Sequence, residues 1–362
     1  MKAISIFLTS FVLFGFSVSP ALAEEKSTEL YFLDDVEYEH WAYNELERFL
    51  YADIIDGYVE METYVEDGEE YEYPFIYIKP DDTITRAEFT KILVNAMNLD
   101  AMDTSKSFPD VKQSNWYYDY VRAASSHGII NGKTDGTFRP NAKITRDEIT
   151  AMIYRAFQTS IDFSKTGQVF PDVPKGNFAY EAIMRTAAAG IIKGYGDAFK
   201  PYNNATRAEA ITMIDRALHL EQGTEEDLIS VAQIVDKNIK EEVKFSEQQD
   251  VESLEALYRE TTIGYYLATS LESLYMEDEM NATYTMEQVG QHSIDPVTVN
   301  KNFAQARIDN LNYNLSMTSP EMSFNMTVNL SGTAFLKKNH DGHWKIYNIV
   351  LDEDETGEDW EE

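Results

Sequence analysis

Three arginines sit at one position of a repeated string: Arg86 in ITRAEFTKILVNAM (84–97), Arg146 in ITRDEITAMIYRAF (144–157) and Arg207 in ATRAEAITMIDRAL (205–218). A guanidinium carries its N–H donors in a planar fork that grips a carboxylate or phosphate bidentately. A second cation recurs with it, because Lys79, Arg139 and Lys200 each precede a proline four residues before the string. The chemistry this implies is recognition of an anionic group on a larger molecule. The alternative is that each arginine pairs with an acid of its own domain. The setting sharpens the question, since 63 Asp and Glu stand against 30 Lys and Arg for a net charge of −33. That balance argues against nucleic acid or anionic lipid as partner, both of which need a basic surface. An acidic surface discourages nonspecific adhesion to anionic polymers, while a few placed cations can still bind one group of one polymer.

The elements that would position these cations repeat as well. Thr85/Glu88, Thr145/Glu148 and Thr206/Glu209 have capping-box spacing, which puts each arginine at the first helical position beside free backbone N–H groups. A cation there faces the positive end of the helix dipole, so an anion nearby is implied. Upstream, the columns Trp41/Trp116/Phe178, Tyr43/Tyr118/Tyr180 and Leu46/Val121/Ile183 predict a preceding helix with a broad apolar face. It should end near Gly128 and Gly190, where glycine takes the left-handed conformation; Asp53 breaks that rule in the first repeat. Ile-Ile-x-Gly follows at constant spacing (54–57, 129–132, 191–194), and LDDV (33–36) or FPDV (108–111, 170–173) precedes each aromatic.

Taken together, F-x-D-V, the aromatic, I-I-x-G, x-Pro and I-T-R-A-E resemble the S-layer homology module in three tandem copies over roughly 31–218. The resemblance implies a mainly α, pseudo-threefold helical bundle. Its grooves between modules would hold a peptidoglycan-linked secondary cell-wall polysaccharide, commonly pyruvylated, whose ketal supplies a carboxylate. By motif position it maps ligand arginines to Arg86, Arg146 and Arg207, and groove glycines to Gly57, Gly132 and Gly194. Asp35, Asp110 and Asp172 follow from F-x-D-V, with Trp41, Trp116 and Phe178 as the aromatic position; for these, turn-capping and core packing are the structural alternatives. Lys79, Arg139 and Lys200 complete the polysaccharide-binding set. The modules are bounded as 31–98, 108–157 and 170–218. The first carries an insertion at about 59–73. The stretch 58–74 holds seven acids and no base; it is expected to fold over the groove of Arg86 and weaken it, by repelling an anionic ligand or by occupying the arginine as an internal mimic, with an outward-projecting solvated hairpin as the alternative.

The remaining chain reads differently. Residues 1–23 resemble a secretory signal, with an apolar run ending in Ala21-Leu22-Ala23, and no later segment could span a bilayer. The lack of cysteine excludes disulfides and thiol chemistry. The leader implies export, and with the S-layer homology resemblance it implies a place at the cell wall or cell surface. A linker at 219–227 leads to an α+β domain at 228–351, in which helical spacing over 228–243 and 251–275 gives way to alternating strands from Leu311. Turns are expected at 319–321 and 339–342, and the closing HWKIYNIV strand resembles the NTF2-like cone with its curved antiparallel sheet. Tyr265, Tyr266, Tyr313, Phe324 and Trp344 would line such a cone or fill its core. No GxSxG, HExxH or phosphate-loop motif occurs, and His340 and His343 fall on a turn, so a noncatalytic anchor without cofactor or metal is the expectation. A wall-anchored enzyme or small-ligand binder is the alternative. The tail, 352–362, has eight acids and is expected to be disordered, with at most loose Ca²⁺ affinity.

Overall fold

A computed structural model of the chain describes residues 26–66, 69–165, 167, 169–275, 283–318 and 323–352. The signal-like segment, the 319–321 turn and the tail beyond Asp352 lie outside the described residues. The chain forms two compact units, one of residues 32–50 and 54–222, the other of 26–31, 51–53 and the chain from Gly223 on.

In the first unit each repeat contributes two helices: α1 (Tyr43–Tyr51) with α2 (Arg86–Met97), α3 (Tyr118–Ser126) with α4 (Arg146–Phe157), and α5 (Tyr180–Ala188) with α6 (Arg207–Leu218). The insertion of the first repeat is an antiparallel hairpin, β1 (Tyr58–Glu66) and β2 (Glu69–Tyr77). Residues expected at helix ends behave as read, with Gly128 and Gly190 at φ +71° and +80°; Asp53 adopts the same left-handed conformation at φ +52°. The aromatic column lies outside the helices and outside the core, which corrects its reading as part of the apolar helix face and as core packing. Trp41, Trp116 and Phe178 precede α1, α3 and α5 and are 57%, 56% and 65% exposed, so the core belongs to Leu46, Val121 and Ile183 on the following turn.

All three capping boxes form, and Thr85 shows the geometry: its N–H donates to Glu88 Oε2 at 2.7 Å and its hydroxyl accepts from the Glu88 N–H at 3.2 Å. The three helix starts also lock one another. The Ile84 N–H donates to the Ala205 carbonyl, Ala205 to Ile144, and Ile144 back to Ile84, a closed cycle of backbone bonds. The arginine N–H groups make a second cycle in the opposite sense, Arg86 to Ala142, Arg146 to Asn203 and Arg207 to Asp82. The backbone donors at the arginines are therefore not free. Carbonyls of the following repeat consume them.

Among its described residues the second unit holds α7 (Glu225–Glu247), α8 (Val251–Thr261), α9 (Gly264–Tyr275) and seven strands: β3 (Thr283–Val289), β4 (Ser293–Val299), β5 (Phe303–Asp309), β6 (Asn312–Thr318), β7 (Ser323–Asn329), β8 (Gly332–Lys338) and β9 (Trp344–Leu351). They pair antiparallel in the orders β3-β6-β7 and β4-β5-β8-β9. The α+β reading holds at this level, although strands β3 to β5 have no counterpart in the sequence reading and the 251–275 helix divides before Gly264 at φ +63°. Thr224 and Asp227 cap α7, and the largely buried Asp227 carboxylate takes the Trp344 indole N–H at 3.1 Å and the Lys338 ammonium at 2.5 Å. Although burial pushes that carboxyl upward, Lys338, the Thr224 cap and Trp344 together hold it at about 2. Tyr266, Tyr313 and Trp344 pack in the core with Val231, Val235, Ile308 and Leu336, whereas Phe324 is exposed.

Candidate anion-binding site

The repeat arginines are buried, at 6% (Arg86), 2% (Arg146) and 7% (Arg207) exposure, and each reaches out of its own repeat into the next. Arg86 Nε donates to the Phe138 carbonyl at 2.8 Å, Arg146 Nε to Phe199 at 3.0 Å and Arg207 Nε to Ile78 at 2.7 Å. Those carbonyls are aimed by the residue that follows them. Lys79, Arg139 and Lys200 take φ values of +55°, +58° and +57°, a left-handed turn unusual for side chains of this size. Asp35, Asp110 and Asp172 hold it, each accepting two successive backbone N–H groups, as Asp110 does from Phe138 (2.9 Å) and Arg139 (2.7 Å). The aspartates thus clamp the loop, and the loop supplies the acceptor for the neighbour's guanidinium.

The second arm of the fork meets the capping-box glutamate of the next repeat. Arg86 Nη1 lies 3.0 Å from Glu148, and Arg146 Nη1 2.7 Å from Glu209, with Arg146 Nη2 on the Lys193 carbonyl at 3.0 Å. Arg207 reaches Glu88 indirectly, through the Tyr58 hydroxyl at 3.5 Å, which itself donates to Glu88 at 2.8 Å. The pairing acid therefore belongs to the adjacent repeat rather than to the arginine's own. Burial raises the affinity of Glu148 for its proton, but Lys133, Arg86 and the Thr145 N–H outweigh it and leave the carboxyl below its ordinary value. It remains an anion at neutral pH.

One position distinguishes the three sites, the residue just after the motif glycine. It is Tyr58, Lys133 or Tyr195, and each bonds the glutamate of its own repeat. Tyr195 has the Arg146 guanidinium 4.8 Å and the Lys200 ammonium 4.2 Å from its ring centre, and Tyr58 has Arg207 at 5.1 Å and Lys79 at 4.8 Å. In the Arg86 site Lys133 replaces the ring, so two cations meet at Glu148 and Arg139 contributes to the field there. Arg139 itself pairs with Asp135 at 2.6 Å. Sequence reasoning passed over this position, although it was visible as the variable letter in G-Y, G-K and G-Y.

The motif glycines serve packing. A Cβ on Gly132 (φ +79°) would stand 2.6 Å from the Phe108 ring, one on Gly194 equally close to Phe170, and one on Gly57 (φ +69°) 2.6 Å from Ile76 Cγ2. The insertion also lies elsewhere than expected. Tyr58 and Lys79, the repeat positions that flank it, border Arg207, while Arg86 faces the second repeat, because each arginine crosses to its successor and the last closes on the first. An acid does occupy the Arg86 fork as an internal mimic, but it is Glu148 rather than a residue of the hairpin.

The family model of the S-layer homology domain matches residues 107–150 and 169–211, the second and third repeats. An endoglucanase of Bacillus sp. (strain KSM-635) is 33% identical over 144 residues, 38% of this chain and 15% of that protein. The cellulosome-anchoring protein of Acetivibrio thermocellus is 32% identical over 153 residues, 40% of this chain and 34% of that one. The S-layer protein sap of Bacillus anthracis is 26% identical over 223 residues, covering 58% and 27%. The chain spans about a third or less of the length of these relatives. The intermembrane space region of chloroplast protein ARC6 aligns over 35% of the chain at 16% identity and a TM-score of 0.29, too distant to assign a fold.

Proposed function

The chain carries S-layer homology modules, and on that premise we propose that it is a noncatalytic surface protein held to a bacterial cell wall by an anionic wall polysaccharide. The observation that carries this reading is the cyclic placement of one buried guanidinium and at least one outer cation at each of three equivalent sites, in a chain otherwise strongly acidic. Specificity then comes from local geometry and not from net charge. A carboxylate of the polymer, such as a pyruvate ketal, competes with the capping glutamate for the arginine fork and takes the outer lysine as its second partner. Relatives named as an S-layer protein and as a cellulosome-anchoring protein support a place at the exported surface. The C-terminal unit is displayed from this anchor.

The test is co-sedimentation of the full chain with wall sacculi before and after the secondary polysaccharide is extracted. Binding should vanish with extraction and survive peptidoglycan trimming. Equal pelleting with extracted sacculi refutes the assignment.

A further inference from the structure

The β1–β2 hairpin is a candidate binding surface in its own right. Its register pairs Tyr58 with Tyr77, Glu60 with Phe75, Glu62 with Tyr73 and Tyr64 with Tyr71. Side chains alternate along a strand, so these pairs all fall on one face of the ribbon, and that face carries six aromatic rings. Four of them are in ring contact: Phe75 lies 6.4 Å from Tyr77, 5.8 Å from Tyr73 and 6.2 Å from Tyr64. Tyr64 and Tyr71 are 46% and 52% exposed near the outer end of the face. From Tyr58 to Tyr64 the aromatic face runs for about 20 Å at the rise of a strand. Its inner end is Tyr58, the ring that stands between Arg207 and Lys79.

We propose that this aromatic face is a stacking platform for uncharged pyranose rings of a glycan that continues into the Arg207 site. The ligand class follows from what lies between the rings. Glu60 and Glu62 share the face, and they would repel the polymer's anionic substituents while accepting hydrogen bonds from sugar hydroxyls. A protein partner fits less well, because the centre of a protein interface is poor in glutamate. Rings with an apolar plane and a polar rim suit an equally amphipathic sugar. The two halves of recognition are divided: carboxylate groups go to the arginines, and the rings between them go to the ribbon. This inference rests on the polysaccharide reading above.

The test compares two probes on the full chain, the long wall polysaccharide released from sacculi and its single acidic repeat unit. The Tyr64→Ala/Tyr71→Ala variant should bind the long polymer at least about tenfold more weakly, the scale expected from losing two ring contacts. Its affinity for the single repeat unit should stay within about twofold of the parent, a ratio worth under 0.5 kcal/mol. Val59→Ser/Met61→Ser, on the opposite face, should leave both affinities unchanged and so controls for the hairpin's fold. Parental binding of the polymer by the tyrosine variant overturns the platform while leaving the anchor reading intact. A tyrosine variant that loses self-association instead, with polymer binding kept, also overturns it and identifies the face as a contact between copies. If the parent chain itself fails to bind the long polymer, the failure lies in the anchor reading.

Discussion

Replacing Arg146 by lysine keeps the charge and removes the fork. In the parent, Nε bonds the Phe199 carbonyl at 3.0 Å, Nη2 the Lys193 carbonyl at 3.0 Å and Nη1 the Glu209 carboxylate at 2.7 Å, in a site only 2% exposed. An ammonium on a four-carbon stem reaches one of these acceptors well, and the carboxylate is the one it favours. Two buried carbonyls then lose a charged donor, at about 1–3 kcal/mol each, less whatever water recovers. Stacking on Tyr195 and Phe199 also weakens. A net loss of about 3 kcal/mol is therefore expected, or roughly 6–12 °C in the melting of a unit of this size. Differential scanning calorimetry of the full chain reads it, with Arg139→Lys as the exposed control that should move Tm by no more than about 1–2 °C. In parallel, titration with the acidic repeat unit should show that the variant has lost most of this site's contribution. If Arg146→Lys melts within about 2 °C of the parent, the guanidinium supplies charge alone and the fork argument fails.

Four further outcomes are expected. Lys133→Tyr converts the Arg86 site to the pattern of its siblings and should lower its affinity for the acidic repeat unit on the order of tenfold, measured by calorimetry; equal or tighter binding would show that the second cation there is idle. Arg207→Ala should be the mildest of the three arginine deletions in thermal stability, because its fork reaches its glutamate only through Tyr58, and a larger Tm loss than for Arg86→Ala would contradict the geometry. Asp110→Ala should cost about 2 kcal/mol by releasing the two N–H groups of the left-handed turn at Arg139, read as the shift of a urea midpoint. Glu242 is buried in the C-terminal unit beside Tyr258, and burial lifts its carboxyl to about 7 despite that hydrogen bond, above its unfolded value near 4.3. The folded state then binds the proton more tightly, so this group's contribution falls as pH rises from about 4.3 to 7, by an amount on the order of a few kcal/mol. Glu242→Gln should flatten that slope in pH-dependent denaturation, and an unchanged slope would refute the assignment.

The sequence by itself determined the repeat, its helix starts and the identity of the cations. Capping boxes, the Ile-Ile-x-Gly turn and the x-Pro step are local devices whose energetics close within a few residues, so Thr85, Thr145 and Thr206 reveal the helix boundaries unaided. The α+β character of the second unit was visible for the same reason, in the alternating residues from Leu311 onward. Strands β3 to β5 were not, because β4 contains Pro296 and a register shift beside it, and β5 builds its buried row largely from small residues, Ala304 and Ala306, whose alternation with Gln305 and Arg307 is a weak apolar signal. Tertiary structure alone decided which repeat each arginine serves. The bonds from the Arg86, Arg146 and Arg207 N–H groups to Ala142, Asn203 and Asp82 turn every helix start towards the following repeat, so residues of one repeat such as Gly57 and Arg86 fall into different sites. The hairpin consequently borders Arg207, and the acid that fills the Arg86 fork is Glu148, whose partner lies 62 positions away in the chain (148 − 86). Periodicity records what a helix does to its own residues; it carries no record of which neighbour closes the ring.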